Sequence, residues 1–503
     1  MAFQTGIPAT FLVPRFIAKL IFAAGVVSAA SGSLACLLVG MKTSGGSMVA
    51  DQDIVRCQSV EEADSYSGNG SQLARMSYSA LTVPGIELWI AAVTEPVAGT
   101  AATATLAITG PATANGTLRF RVAGKTYTAG ITSGNTATIV GDTVAAAINA
   151  DSRSPVTAVN VTGTVAFTCR NKGAQSKDWI IYLDKSENAT GVGYVLTGSA
   201  AQNVDGVRMG AAASGTGSED VTTLLTKLQA KRYARIALGH NDAVNAALWE
   251  THVNTKAGPL SLLLEHLVFA HNGSQAQVTS LAQTTLNAPR ASVMWLRNSE
   301  SHPCEIAAWV AAYRSAVENS EPLFDWDGFE VTPAAPQAFD GDVPTLTEQN
   351  TVLNAGVTPL TTVNGKVQIV RMITSYCKNG ANADTRCLDI GDAVVPDYVC
   401  VDLQFYYSTG FRPANPLVGP DPAPEDEPPP PGVAFPRAWN SKLVSKMQGY
   451  FRAGLLELPP TLGGVAYPAS TYIAANKAIA SEIPIYVRRL QHRIDLVIRQ
   501  TAS

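Results

Sequence analysis

Between residues 219 and 320 the chain alternates helix-like and strand-like stretches. "EDVTTLLTKLQAKR" spaces its apolar residues as an amphipathic helix does, and "YARIALGH" follows as a short apolar strand. The pair then repeats: "AVNAALWETHVNTK" with "SLLLEHLVFAH", "SQAQVTSLAQTTL" with "ASVMWLRN", and the closing helix "PCEIAAWVAAYRSAVENS". Strands that are apolar on both sides must be covered on both sides. Helices of roughly 10–15 residues between them therefore predict a layered sheet with helices packed on it. Two earlier stretches read as buried strands of the same kind, "LACLLVGMK" and "GIELWIAAV" (85–93). Between them "SVEEADSYSGNGSQLARMSYSAL" reads as two helices parted by a Gly-rich turn. Ser59 and Glu62 form the capping-box pattern there.

At about residue 97 the texture changes to Thr, Val, Ala and Gly. Short period-two segments recur ("TLAIT", "TLRFRVAG", "KTYTAGI", "AVNVTGTVAFTCR", "WIIYLD"), broken by one helix, "DTVAAAINA". This predicts a small β-rich domain, 97–205, inserted on the surface of an α/β core formed by 25–96 and 206–335. Gly124-Lys125-Thr126 ends like a phosphate-binding loop. The glycine such a loop needs five residues earlier is Arg119, and the stretch reads as a hairpin, so nucleotide binding is excluded there. In "ASGTGSED" Ser218 is expected as a helix N-cap.

A third region, 336–484, follows a Pro-rich connection (333–345). "TLTEQNTVLNAGVTPLTTVNGKVQIVRMITSY" predicts a helix, a turn ending in Gly356, and two strands joined by an Asn364-Gly365 hairpin turn. "PDYVCVDLQFYYSTGF" fits a strand or a helix. "PLVGPDPAPEDEPPPPG" (416–432) reads as an extended acidic loop, and "PRAWNSKLVSKMQGYFRAGLLE" as a helix. At the end Ile494, Leu496 and Ile498 alternate with Asp495, Val497 and Arg499, a strand pattern at a terminus.

Charged residues make up 15% of the chain, against about 25% in an average soluble protein. A surface so poor in charge is hidden most readily in large subunit interfaces. The net charge of −4 argues against a nucleic-acid protein. It is unevenly spread: residues 437–503 carry +6 and the rest −10. Lys442 and Lys446, four apart on one helix, form the centre of a basic face suited to an acidic partner.

The seven cysteines form no CxxC pair and are expected as buried thiols in a reducing compartment. The six histidines are scattered. His266 and His271 fall on opposite faces of a strand, so no metal site is expected. Asp325, Asp327 and Glu330 in "LFDWDGFE" are the one carboxylate grouping that suggests acid–base chemistry. The favoured reading is a solvated loop anchored by Trp326. No nucleophile-elbow motif occurs. The expectation is a structural protein without cofactor, not an enzyme.

"VEEADSYSGNGSQLARMSYSAL…ELW" and "EQNTVLNAGVTPLTTVNGKVQIVRMITSY" resemble the tail sheath proteins of contractile phages, of the Mu-like type. The order of regions is also similar: an N-terminal arm, a split core, an inserted β domain, a C-terminal domain and a terminal strand. The resemblance implies an α+β multidomain subunit that stacks as hexameric rings around an inner tail tube. It implies contraction from a metastable extended state, driving the tube through a cell envelope. The implied partners are further copies of the chain, the inner tail tube protein, and baseplate and tail terminator proteins, with no nucleic acid and no stable membrane insertion. The implied location is the virion tail, with assembly in the host cytoplasm.

It further implies that the arm 1–24 and the strand 485–503 add to the C-terminal sheets of neighbours. Phe16, Ile17, Leu20, Ile21 and Phe22 would be exchanged at one end, and Ile485, Val487, Ile494, Leu496 and Ile498 at the other. Lys442, Lys446 and Arg452 would face the tube, and the insert 97–205 would lie on the outside of the sheath, tolerant of deletion. The uncharged run 20–40, preceded by Lys19 and interrupted by Ser28, Ser31 and Ser33, then reads as an arm running into the first core strand. A bilayer-spanning helix would need ~20 predominantly apolar residues. Two alternatives stay open: the sheath of a phage-derived bacteriocin or injection system, and a secreted β-rich adhesin with 20–40 as its signal.

Overall fold

The computed structural model describes residues 34–183, 191–198, 200–201, 206–209, 214–337, 340–421, 431–457, 468–474, 478–483 and 485–489. The chain divides into two compact units. One comprises residues 33–316 and 328–388, and the other residues 317–327 and 389–503.

The first unit is built on a parallel sheet interrupted by an insertion. Its first strands are β1 (Ala35–Met41), β2 (Ile54–Arg56) and β3 (Glu87–Val93). The insertion supplies β4 (Ala101–Thr109), β5 (Gly116–Val122), β6 (Lys125–Ile131), β7 (Val156–Val161), β8 (Thr164–Lys172), β9 (Ile180–Tyr182), β10 (Gly193–Thr197), β11 (Ala200–Ala201) and β12 (Gly206–Arg208). The sheet resumes with β13 (Arg235–Leu238), β14 (His266–His271), β15 (Ala291–Trp295), β16 (Thr358–Val363) and β17 (Lys366–Ile369). Among the described residues the order is β17-β16-β15-β14-β13-β1-β3-β2. The strands from β16 to β3 run parallel, and only the edge strands β17 and β2 are antiparallel.

The strands are continuously apolar because the sheet is covered on both faces. Leu37 and Val39 of β1 join Ile236, Phe269, Val293 and Trp249 in one core. The alternate positions meet the other layer. Helix Gln72–Ala80 comes so close there that a Cβ on Gly40 would lie 2.9 Å from Met76 Sδ. The local signals explain most boundaries. Ser59 Oγ accepts from Glu62 N–H (3.2 Å) and starts helix Val60–Ser67. The Glu62 carboxylate reaches past the cap to the Gln58 N–H (2.7 Å). Asn364 (φ 51°) and Gly365 (φ 75°) form the β16–β17 turn. Gly356 takes φ 78°, and a Cβ there would lie 2.5 Å from the Ser375 carbonyl oxygen, so only glycine fits.

The insertion is a two-layer β unit. Its sheets run β10-β4-β8-β7 and β11-β12-β9-β5-β6, with helix Ala137–Asn149 packed against them. Leu106, Phe120, Val144, Phe167 and Trp179 share its core. Thr100 and Thr216 pair where the chain leaves and returns, a little beyond the expected limits of 97 and 205. Gly124-Lys125-Thr126 lies in the β5–β6 hairpin as expected, with Ala123 and Gly124 at positive φ in the turn.

Several expectations need correction. Ser218 does not cap a helix. Helix Thr222–Lys227 begins later, and Asp220 Oδ1 accepts from the Thr222 N–H (2.9 Å) instead. "SQAQVTSLAQTTL" forms a short α-helix (Gln275–Thr279) that widens into a π-helix (Ser280–Leu286). The expected boundary at 335/336 cuts through the first unit, because β16 pairs with β15 and β17 with β16. "PDYVCVDLQFYY" is helical: helix Ile390–Tyr406 buries Val395, Val399 and Leu403 at i, i+4, i+8.

Candidate assembly surfaces

In the second unit, helix Pro436–Arg452 starts with proline in its first turn after the extended Phe435, and the chain turns at Gly454 (φ 78°). Trp439, Leu443 and Tyr450 form its buried stripe. The Trp439 ring meets Phe411 at 4.6 Å and Tyr406 at 6.4 Å between centroids, which ties the helix to helix Ile390–Tyr406. Outside the stripe, Arg437, Lys442 and Arg452 are exposed, and the helix carries no acidic residue. Lys446 differs from the other two tube-facing candidates. Its Nζ lies 2.8 Å from Asp402 Oδ2, and that oxygen also accepts from Tyr450 Oη (2.6 Å). Asp402 is 5% exposed, and Lys446 also stands 5.0 Å from the Tyr406 ring centre. A salt bridge inside the subunit therefore holds Lys446, while Lys442 and Arg452 keep an outward basic face.

The segment after this helix carries the strand candidates. Ala469–Ile473 and Ala478–Glu482 form a two-stranded antiparallel ribbon, partly exposed along both strands. The ribbon packs on helix Pro436–Arg452: Ser470 Oγ donates to Asn440 Oδ1 (3.2 Å), and Ile479 joins the second unit's core. A packed helix of this kind is what a two-stranded ribbon needs to be stable in water. Val487 forms an antiparallel bridge to Leu456. Glu457 N–H donates to the Tyr486 carbonyl, and Arg488 N–H to that of Leu455, both at 3.2 Å. Ile485, Tyr486 and Val487 pack on the second unit's own core. Ile485 and Val487, expected among the exchanged residues, are thus held within the single chain. Phe16, Ile17, Leu20, Ile21, Phe22, Ile494, Leu496 and Ile498 lie outside the described residues.

Asp325 and Asp327 belong to the second unit and Glu330 to the first. Asp325 Oδ1 accepts from the Asp327 N–H (3.0 Å), Trp326 is buried, and Glu330 is paired with Lys366 at 2.5 Å. His266 and His271 open and close β14. Among the described residues no group of three or more His, Cys, Asp and Glu is placed to hold a metal ion. All seven cysteines are buried and none is in a disulfide, and burial raises the thiols of Cys36 and Cys57 to about 12. No helix among the described residues is long and apolar enough to cross a membrane.

The chain is thus charge-poor, built of several sheets, and carries a basic helical face in its second unit. No protein-family model matches it. Over 357 residues it is 28% identical to the Mu-like prophage FluMu tail sheath protein of Haemophilus influenzae, covering 68% of each chain. The resemblance to Mu-like contractile tail sheath proteins therefore holds across two thirds of the sequence. Solved structures of similar outline include the sheath tail proteins of Desulfitobacterium hafniense (12% identity, TM-score 0.46, 92% of this chain and 93% of that one) and Listeria innocua (12%, 0.46, 91% and 93%). A further one is the sheath complex of an extracellular contractile injection system in its contracted state (9%, 0.44, 98% of both).

Proposed function

We propose that this chain is the structural subunit of a contractile tail sheath. Copies polymerise as stacked hexameric rings around an inner tail tube and contract from a metastable extended packing, driving the tube through the target envelope. The observation that carries this reading is the 28% identity over 357 residues to a Mu-like tail sheath protein. No catalytic role is assigned. The energy of contraction resides in two alternative subunit packings.

Chain linkage is carried by the apolar segments near the two ends of the sequence. The segment 485–489 is the root of the C-terminal tail, fixed in its own subunit, and Ile494, Leu496 and Ile498 beyond it complete a neighbour's sheet. The N-terminal arm, through Phe16, Ile17, Leu20, Ile21 and Phe22, adds a strand from the other side. Backbone hydrogen bonds supply the affinity of such joints and alternate side chains the register. Lys442 and Arg452 face an acidic tube surface, and the inserted domain faces outward. Baseplate and terminator proteins bound the sheath at its two ends. The location is the virion tail, assembled in the host cytoplasm. Sedimentation velocity of the purified full-length chain tests the reading: polymers far larger than a hexamer support it, and a stable monomer at all concentrations refutes it.

A further inference from the structure

Open parallel sheets bind ligands in the crevice beyond the carboxyl ends of the strands, where the strand order reverses. In this sheet that point is β1, between β3 and β13. The chain fills the crevice itself. Gln72, 4% exposed, accepts from the Met41 N–H at the end of β1 (2.9 Å) and donates to the Gly239 carbonyl just past β13 (2.7 Å). Its own N–H donates to Asn171 Oδ1 (2.7 Å), and Asn171 belongs to β8 of the insertion. Asn171 Nδ2 in turn donates to the Lys42 carbonyl (3.1 Å) and to Glu95 Oε1 (2.7 Å), past the ends of β1 and β3. Gly239 makes room for this plug: a Cβ there would lie 2.9 Å from Gln72 Cδ and 3.0 Å from the Val39 carbonyl oxygen.

A second side chain of the insertion closes the next two strands. Arg208, from β12, donates to Asn272 Oδ1 (2.9 Å) and the Asn272 carbonyl (2.7 Å), immediately past β14. It also reaches Asn298 Oδ1 (3.2 Å), past β15, and pairs with Asp178 at 3.1 Å. Around it the Trp179 ring lies 4.3 Å from that of His302, and the His302 ring meets the Gln175 carbonyl at 2.9 Å. Asn272 and His302 are at most 1% exposed.

We propose that the inserted domain is the permanent occupant of the sheet's ligand crevice. Its polar edge takes the place of a nucleotide or other small ligand, and insertion and sheet open and move as one rigid body. The expected tolerance to deletion is then lost, since removing the insertion uncovers the ends of β1, β3, β14 and β15. The inference stands on the fold of the first unit and does not depend on the sheath reading.

Native-state hydrogen exchange of the unmodified full-length chain in rising denaturant tests it. Amides of β4 and β8 should merge into the same opening as those of β1 and β14. A separate opening of the insertion at lower denaturant overturns the proposal. The double variant Asn171→Ala/Arg208→Lys should raise exchange at residues 39–42, 239–240 and 272–274 at least tenfold and leave the centres of β4 and β8 unchanged. Unchanged exchange at the strand ends would also overturn it. Lys125→Ala removes an ion pair internal to the insertion, with Asp151, and should alter neither set.

Discussion

Asp402 is the residue on which the second unit depends most. One carboxylate oxygen holds both Lys446 and Tyr450, and it does so at the floor of the helix that bears the basic face. Asp402→Ala leaves an ammonium partly buried beside aromatic rings and a buried phenol without its acceptor. We expect a loss of about 2–3 kcal/mol, measured as a shift in the urea midpoint at constant slope. His252 gives a pH-dependent counterpart in the first unit. Burial is the larger cause, and Lys256 the second, lowering its pKa from 6.5 to about 4. The fold thus favours the neutral ring, which stands edge-on to Trp249 at 5.7 Å. A depressed folded-state pKa contributes stability that is complete above 6.5 and is lost as pH falls through 4. Thermal midpoints should therefore decline between those limits, and His252→Phe should flatten that decline. An identical decline in the variant would assign it to other groups.

At the scale of elements, two surfaces make separable predictions. Glutamate at positions 442 and 452 (Lys442→Glu, Arg452→Glu) should reduce assembly on the inner tube at least tenfold in a co-sedimentation assay. The unfolding midpoint should stay within about 0.5 kcal/mol of the parent, because both side chains are exposed. Lys446→Glu should instead destabilise the subunit, since it places a carboxylate beside Asp402. Removing residues 490–503 should abolish polymerisation and leave the root at 485–489 in place; undiminished polymerisation would contradict strand donation by the tail.

The same elements show what a sequence discloses. Ser59 with Glu62, and Asn364-Gly365, are local chemistry and were legible. The alternation of strands and helices from 219 was legible too, because buried parallel strands leave long apolar runs. Lys446 was expected on a basic face beside Lys442, and its ion pair with Asp402 was not legible because that partner is 44 residues away, on a helix whose own period was ambiguous. Ser218 stands too early to cap the helix, which starts at Thr222 after Val221, and the Thr222 N–H is met by Asp220. The filled crevice was not legible at all. It joins Gln72 to Asn171 and Gly239, contacts 99 and 167 residues apart that no local pattern encodes.

At the scale of the whole molecule, 15% charge and an exposed basic helical face accord with the proposal that the chain acts through contacts with its own copies. The plugged crevice removes the position at which such a sheet would bind a ligand. The most direct measurement is electron microscopy of the full-length chain, expressed with its cognate tube protein. The account predicts hollow tubes with six subunits per ring, in a long and a short form of the same polymer. Discrete particles of fixed size under every assembly condition would contradict it.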